Sequence, residues 1–104
     1  MTLDAIFSAL ADPTRRQVVE TLLSEGDTSV PLLTGRLPMS RQAVAKHLAA
    51  LDEAGLVERS PGKGREVRYA LRPGALAPAA DWLQRAEADW DGRLARLKRT
   101  LERD

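Results

Sequence analysis

The chain contains no cysteine and a single histidine, and both scarcities restrict its chemistry. Without cysteine it forms no disulfide, has no thiol nucleophile and binds no metal through thiolates. The one histidine, His47, cannot build a metal site alone, and no acidic residue obviously joins it. We expect His47 to have a packing or capping role, with a phosphate contact as the alternative. The sequence predicts neither a metal site nor a cofactor.

Long apolar runs and catalytic motifs are also missing. No apolar stretch approaches the ~18 residues of a membrane span, and Asp4 and Asp12 interrupt any secretory signal pattern. No nucleophile elbow, P-loop or dinucleotide fingerprint occurs. The adjacent Asp52 and Glu53 are typical of a solvated helix face rather than a catalytic pair. We therefore expect a cytoplasmic protein that is not an enzyme and does not enter a membrane.

Aromatic residues make up only 4% of the chain, so Leu, Val and Ala must supply the core, which favours packed helices. Apolar residues at helical spacing predict three helices in the first third of the sequence. The second has Asp12 as its N-cap and ends at Gly26, and Thr28 or Ser29 caps a short third. The apolar faces of these helices consist of Leu3, Ile6, Phe7, Leu10, Val18, Val19, Leu22, Leu23, Leu32, Leu33 and Leu37.

A fourth helix is predicted from its N-cap, Ser40, to about Ala54, with Val44, Leu48 and Leu51 buried. Beyond it the pattern changes to alternation, which predicts short strands at 56–59 and 66–71 joined by a glycine-rich turn. Residues 76–103 are then predicted to form a long helix. This order predicts a mostly α fold with a small β-hairpin, a winged helix-turn-helix occupying residues 1–104 as one domain.

The last helix carries apolar residues spaced alternately by three and four, apart from Glu87. Its apolar positions are Leu76, Ala80, Leu83, Trp90, Leu94, Leu97 and Leu101. At ~1.5 Å per residue the helix is ~40 Å long, too long to bury this stripe on so small a domain. The sequence therefore predicts a homodimer with the terminal helices at the interface. The expected interface residues are Leu3, Ile6, Phe7, Leu83, Trp90, Leu94 and Leu97.

Positive charge is concentrated in the middle of a chain whose net charge is only +1. Four acidic residues in segment 36–72 (Asp52, Glu53, Glu58 and Glu66) are outnumbered by eight basic ones. Such a local excess predicts a phosphate-binding surface, although chance scatter in an arginine-rich chain is the alternative. The basic residues are Arg36, Arg41, Lys46, Arg59, Lys63, Arg65, Arg68 and Arg72.

The start of the fourth helix has side chains suited to reading double-stranded DNA. Arg41 can make two hydrogen bonds to guanine and Gln42 two to adenine, while Lys46 suits a phosphate. The hairpin tip adds Lys63 and Arg65, which can lie along the backbone or enter the minor groove. An ordinary solvated surface is the alternative for each contact. The predicted DNA-binding residues are Ser40, Arg41, Gln42, Ala43, Lys46, His47, Lys63, Arg65 and Arg68.

Three segments resemble the ArsR-type winged-helix repressors: 9–16 (ALADPTRR), 40–48 (SRQAVAKHL) and 54–57 (AGLV). The resemblance covers nearly the whole chain. It implies a homodimer that represses transcription from a two-fold symmetric operator and is released by an effector. A small molecule is one possible effector, and no residue of the sequence identifies it. It also implies that Ser40, Arg41, Gln42, Lys46 and His47 lie on the DNA-binding helix, with Lys63 and Arg65 on the wing.

The metal sensors of that family carry a Cys-x-Cys-type motif on the third helix or a His/Asp set on the last. Here residues 29–36 read SVPLLTGR, and the last helix has no histidine. The sequence therefore predicts a metal-independent regulator. A winged helix that binds a protein partner instead of DNA is the alternative, which the basic fourth helix and wing disfavour.

Overall fold

The computed structural model describes residues 2–103, which form five helices and one two-stranded antiparallel sheet. This order confirms the predicted winged helix-turn-helix fold. The elements are α1 (Leu3–Ala11), α2 (Pro13–Glu25), α3 (Val30–Arg36), α4 (Arg41–Glu53), β1 (Val57–Pro61), β2 (Val67–Leu71) and α5 (Ala77–Arg103).

The helix starts lie at the predicted capping residues. The Asp12 carboxylate accepts from the N–H groups of Thr14 (2.8 Å) and Arg15 (3.2 Å) at the start of α2. The Ser40 hydroxyl accepts from the Ala43 N–H (3.1 Å) at the start of α4. Of the two candidates for α3, Ser29 is the cap, because its hydroxyl accepts from the Leu32 N–H. Local hydrogen bonding thus fixes where the helices of the helix-turn-helix begin.

The core lies where α1, α2, α3 and α4 meet the root of the hairpin. From α4 it takes Val44, Leu48 and Leu51, all fully buried, as the sequence predicts. The turn between α3 and α4 is closed by Leu37 and Met39, which pack against this core. The remaining buried apolar residues are Ile6, Ala9, Val18, Val19, Leu22, Leu33, Leu56, Val57, Ala75 and Ala79. This packing fixes the rotation of α4 and so determines which of its side chains face outward.

Several predicted apolar positions differ in the structure. Ile6 is fully buried within the protomer, so the prediction that it contacts a second copy is wrong. Leu23 and Leu32 are 60% and 53% exposed, because each lies beside the residue that enters the core rather than on the inner face. At the start of α5 the buried alanine is Ala79, and Ala80 is exposed.

The hairpin pairs Val57 with Leu71 at its root and Pro61 with Val67 near its tip. The first strand is longer at the tip and starts one residue later than predicted. Only the root of the hairpin is covered by the body of the protein, since Tyr69 and Leu71 of β2 pack against the core while Val67 is exposed. A further backbone pair joins Thr28 to Tyr69 on the other edge of β2. The wing therefore projects from the body on a narrow base.

The 27-residue helix α5 extends from the body and gives the protein its longest dimension, 72 Å. It is attached near its start, where Trp82 packs edge-to-face on Phe7 of α1 with ring centroids 5.7 Å apart. The large apolar side chains farther along α5 are exposed, namely Leu83, Trp90, Leu94, Leu97 and Leu101. Within residues 2–103 no helix has both the length and the apolar character needed to cross a membrane.

Candidate nucleic-acid interface

The N-terminal turn of α4 is the best-formed part of the candidate interface. Ser40, Arg41 and Gln42 are exposed, and Ala43 is half-buried behind them. The Ser40 hydroxyl accepts a hydrogen bond from the Ala43 N–H, and the Ser40 carbonyl accepts one from the Val44 N–H (3.0 Å). The preceding N–H groups have no such intrahelical acceptor, as at any helix start. The turn thus presents backbone donors, an arginine and an amide side by side, which is a set suited to phosphate and base edges.

One turn further along α4, Lys46 is exposed while His47 is half-buried. The Nδ1 atom of His47 is buried and finds no hydrogen-bond partner within the described residues. The pKa of Asp12 is lowered chiefly by the Arg15 N–H, with smaller contributions from the Thr14 N–H and the charge of His47. His47 therefore lies partly within the packed body, and both its packing role and its phosphate contact stay predictions.

The wing tip is a short turn that holds Lys63 and Arg65 outward. The Glu66 N–H donates to the Lys63 carbonyl (3.0 Å), and the Gly62 N–H donates to the Glu66 carbonyl (2.8 Å). Gly64 lies between the two cations with φ +62°, a left-handed conformation that side chains rarely adopt. The turn therefore depends on glycine at this position and presents both cations to solvent.

The eight cations of segment 36–72 fall into two groups. Three are in ion pairs: Arg36 with Glu25 (3.3 Å), Arg59 with Asp52 (3.5 Å), and Arg68 with Asp27 and Glu66. Over residues 2–103 no carboxylate lies within 4.0 Å of the other five, which lie on α4, on the wing tip and just after β2. These five are Arg41, Lys46, Lys63, Arg65 and Arg72.

Arg68 differs from the other predicted DNA contacts. Its side chain is only 23% exposed, and its guanidinium bonds the Asp27 carboxylate at 2.9 Å and the Glu66 carboxylate at 3.2 Å. The bond to Asp27 is the main reason that the pKa of Arg68 is raised, and Glu66 adds to it. Asp27 is 41 residues away in sequence, and no local pattern indicates this pairing. The structure thus shows that Asp27 and Glu66 hold the Arg68 side chain, which the sequence did not indicate.

The described residues contain no group of three or more His, Asp or Glu side chains placed to hold a metal ion. Two acidic residues near the candidate interface, Asp52 and Glu66, are instead paired with arginines. The surface formed by the start of α4 and the wing tip therefore presents hydrogen-bond donors and positive charge.

Comparisons with known proteins agree with this geometry. Residues 10–60 match a family of helix-turn-helix domains. The chain is 46% identical to an HTH-type transcriptional regulator of Mycobacterium tuberculosis, over 71% of this chain and 67% of that protein. It is 38% identical to the arsenical resistance operon repressor of Escherichia coli, over 78% and 68% of the two chains. Among solved structures, it is similar to an ArsR-like transcriptional regulator from Rhodococcus sp. RHA1, with 45% identity, a TM-score of 0.76, and coverage of 93% of this chain and 90% of that one.

Proposed function

Because the chain belongs to the ArsR family of winged helix-turn-helix transcriptional regulators, which bind double-stranded DNA, we propose that it is a homodimeric, metal-independent repressor of a palindromic operator. The observation that carries the proposal is the grouping of unpaired cations on α4 and the wing. Four cations, Arg41, Lys46, Lys63 and Arg65, lie on α4 and the wing tip, and no carboxylate of residues 2–103 lies within 4.0 Å of them. A polyanion with regularly spaced phosphates supplies the missing counter-charges.

In the proposed complex α4 enters the major groove with its N-terminal turn toward the bases. Arg41 and Gln42 read base edges, while Ser40 and the free N–H groups beside it meet a phosphate. The methyl group of half-buried Ala43 packs against a thymine methyl in the major groove. Lys46 contacts the backbone on the same side.

The wing takes a second position on the duplex. Lys63 and Arg65 lie along the phosphates or enter the adjacent minor groove. Because α4 and the wing project from one packed body, both contacts are made by one rigid unit. The division of labour is that α4 selects sequence and the wing adds affinity.

Dimerisation is proposed to use the exposed apolar stripe of α5 together with half-buried Leu3 and Phe7 of α1. Leu83, Trp90, Leu94 and Leu97 contribute the stripe, which is long enough to pair with its own copy. A two-fold axis through it repeats α4 in opposite directions along the duplex. The operator is then a palindrome whose half-sites lie about one helical turn, ~34–36 Å, or a multiple of it apart.

Release from DNA is proposed to be independent of thiolate-bound metal, since the chain has no cysteine and one histidine. A small-molecule effector would then be sensed through contacts of another kind. The E. coli relative is named for arsenical resistance, but this chain lacks the thiolates through which arsenic is most readily held.

The proposal is tested by measuring binding of the purified protein to DNA from its own promoter and to random DNA of equal length. We expect promoter DNA to bind at least ~1,000-fold more tightly. Affinity for both should fall steeply between 50 and 200 mM salt, as counterion release requires. Light scattering on the same sample should give the mass of a dimer. Equal affinity for both DNAs would refute sequence-specific regulation.

Removing the Lys63 ammonium should weaken binding to every DNA sequence by about the same factor, because a phosphate contact does not depend on the base pair. In Lys63→Ala the slope of log affinity against log salt should fall by about one for each half-site. Fluorescence anisotropy over a salt series measures both quantities. Arg85→Ala, on exposed α5 away from the wing, is the matched control and should leave the slope unchanged. A Lys63→Ala effect confined to the operator would mean that the wing reads bases.

A further inference from the structure

Arg68, near the tip end of β2, is held by hydrogen bonds to acceptors on two sides. Its Nη2 donates to the carboxylate (2.9 Å) and to the main-chain carbonyl (3.2 Å) of Asp27, in the loop between α2 and α3. Its Nη1 donates to the carboxylate of Glu66 (3.2 Å), at the end of the wing turn. One guanidinium thus joins the loop that precedes the helix-turn-helix to the turn that carries the wing cations.

The backbone reinforces this connection. The Thr28 N–H donates to the Tyr69 carbonyl (2.9 Å), and the Tyr69 N–H donates to the Thr28 carbonyl (2.7 Å). Thr28 and Ser29 are both buried, and Ser29 is the N-cap of α3. The segment 27–29 therefore links β2 to α3, and Arg68 holds the start of this segment through its hydrogen bonds to Asp27.

On the other side the connection reaches the wing tip. The Gly62 N–H bonds the Glu66 carbonyl, and the Glu66 side chain lies directly over Gly62, so that a Cβ at position 62 would collide with its carboxylate. Glu66 is thereby held between the tip turn and Arg68. The contacts run without a gap from α3 to the residues on either side of Lys63 and Arg65.

The local charge argues against Arg68 itself binding a phosphate. Two carboxylates flank one guanidinium, so the cluster carries a net charge of about −1 at neutral pH. A phosphate approaching Arg68 would meet Asp27 and Glu66 as well, and would have to displace hydrogen bonds already made to a charged group. Arg68 is also the least exposed of the three wing cations considered above.

We propose that Asp27, Arg68 and Glu66 form a clamp that sets the angle of the wing relative to α3 and α4, with Arg68 as a positioning residue rather than a DNA contact. The inference rests on the proposed DNA-binding function. A two-stranded hairpin is only marginally stable by itself and would otherwise sample many tip positions. The clamp orders the tip before binding, so that less conformational entropy is lost when Lys63 and Arg65 meet the phosphates.

The substitution Asp27→Asn distinguishes a clamp from a direct contact by the sign of its effect. If Arg68 binds phosphate, removing a competing carboxylate near DNA should tighten binding. If the clamp holds the wing, the same change should weaken binding by about two- to tenfold, since the tip must be re-ordered in the complex. Glu20→Gln, which removes an exposed carboxylate from α2, is the matched control. Tighter binding by Asp27→Asn than by the control variant would overturn the proposal.

A second measurement links the clamp to the tip. In the Asp27→Asn background, Lys63→Ala should cost less affinity than in the wild type, because a loosened tip makes a weaker contact. Equal losses in both backgrounds would show that the two positions act independently, against the clamp.

Amide hydrogen exchange on the free protein keeps this test separate from DNA binding. In Asp27→Asn the N–H groups of Gly62 and Glu66 should exchange faster than in the wild type, while those of α4 stay protected. If the wild type shows no preference for promoter DNA, the proposed function is refuted. The hydrogen-exchange rates at the wing tip would still show whether the clamp orders it. Unchanged exchange at the tip would refute the clamp even in a protein that binds its operator.

Discussion

Replacing Leu97 with glutamate is expected to convert the dimer into a monomer at micromolar concentration and to remove most of its operator affinity. Leu97 is 55% exposed in the protomer and lies on the apolar stripe of α5, between Leu94 and Leu101. Fully burying an exposed leucine is worth ~1.5–3 kcal/mol. Because Leu97 is 55% exposed and a two-fold axis counts it twice, the dimer loses roughly 1.5–3 kcal/mol. The buried carboxylates add a desolvation penalty to that loss.

Loss of the dimer should also lower the affinity for the operator. Two linked half-site contacts gain about 10²–10⁴ in affinity from being joined, and a monomer forfeits that factor. Light scattering gives the mass, and anisotropy on the operator gives the affinity. Because Leu97 is outside the protomer core, the far-ultraviolet spectrum and the fold of the winged helix should be retained.

Arg99→Glu provides a demanding control for Leu97→Glu. Arg99 is two residues further along the exposed helix, about 200° around its axis, so it points away from the stripe. Its substitution changes the charge by two units, against one for Leu97→Glu. A dimer that survives Arg99→Glu but not Leu97→Glu places the interface on the apolar stripe. If both variants remain dimeric, α5 is not the interface and the exposed stripe has another occupant.

The features that the sequence predicts well are those decided by neighbouring residues. Asp12, Ser29 and Ser40 cap helices because a short side-chain acceptor precedes free N–H groups, an arrangement visible in the sequence. The fourth helix could be oriented from Val44, Leu48 and Leu51, which share one face. Its exposed N-terminal side chains follow from that rotation without knowledge of the rest of the fold.

The features that could not be predicted depend on contacts between distant segments. Helical spacing places Ile6 and Phe7 on one face of α1, but it cannot tell which of them faces the protomer core. In the same way an apolar residue beside a buried one, such as Leu23 or Leu32, differs from a core residue only once the neighbouring elements are packed. The pairing of Arg68 with Asp27 joins segments 41 residues apart, so Arg68 could only be interpreted as one more basic residue of the wing.

Removing the Arg41 side chain should affect which sequence is bound as well as how tightly. Arg41 is exposed in the first turn of α4, next to the Ser40 cap, and no carboxylate of residues 2–103 lies within ion-pair distance of it. A two-hydrogen-bond contact to guanine is worth ~1–3 kcal/mol, so Arg41→Ala should lose that amount at each half-site. In a symmetric dimer the two losses add to ~2–6 kcal/mol, or roughly 30- to 10⁴-fold in affinity.

The measurement that identifies a base contact is a panel of operators in which each base pair is changed in turn. For the wild type, changing the contacted pair should cost as much as Arg41→Ala does, whereas the variant should no longer distinguish the bases at that one position in each half-site. Lys46→Ala, which removes an exposed cation five residues further along α4, should lower affinity across the whole panel and keep every preference. If Arg41→Ala behaves like Lys46→Ala, with weaker binding but unaltered preferences, Arg41 is a phosphate contact and Gln42 becomes the first candidate for sequence readout by α4.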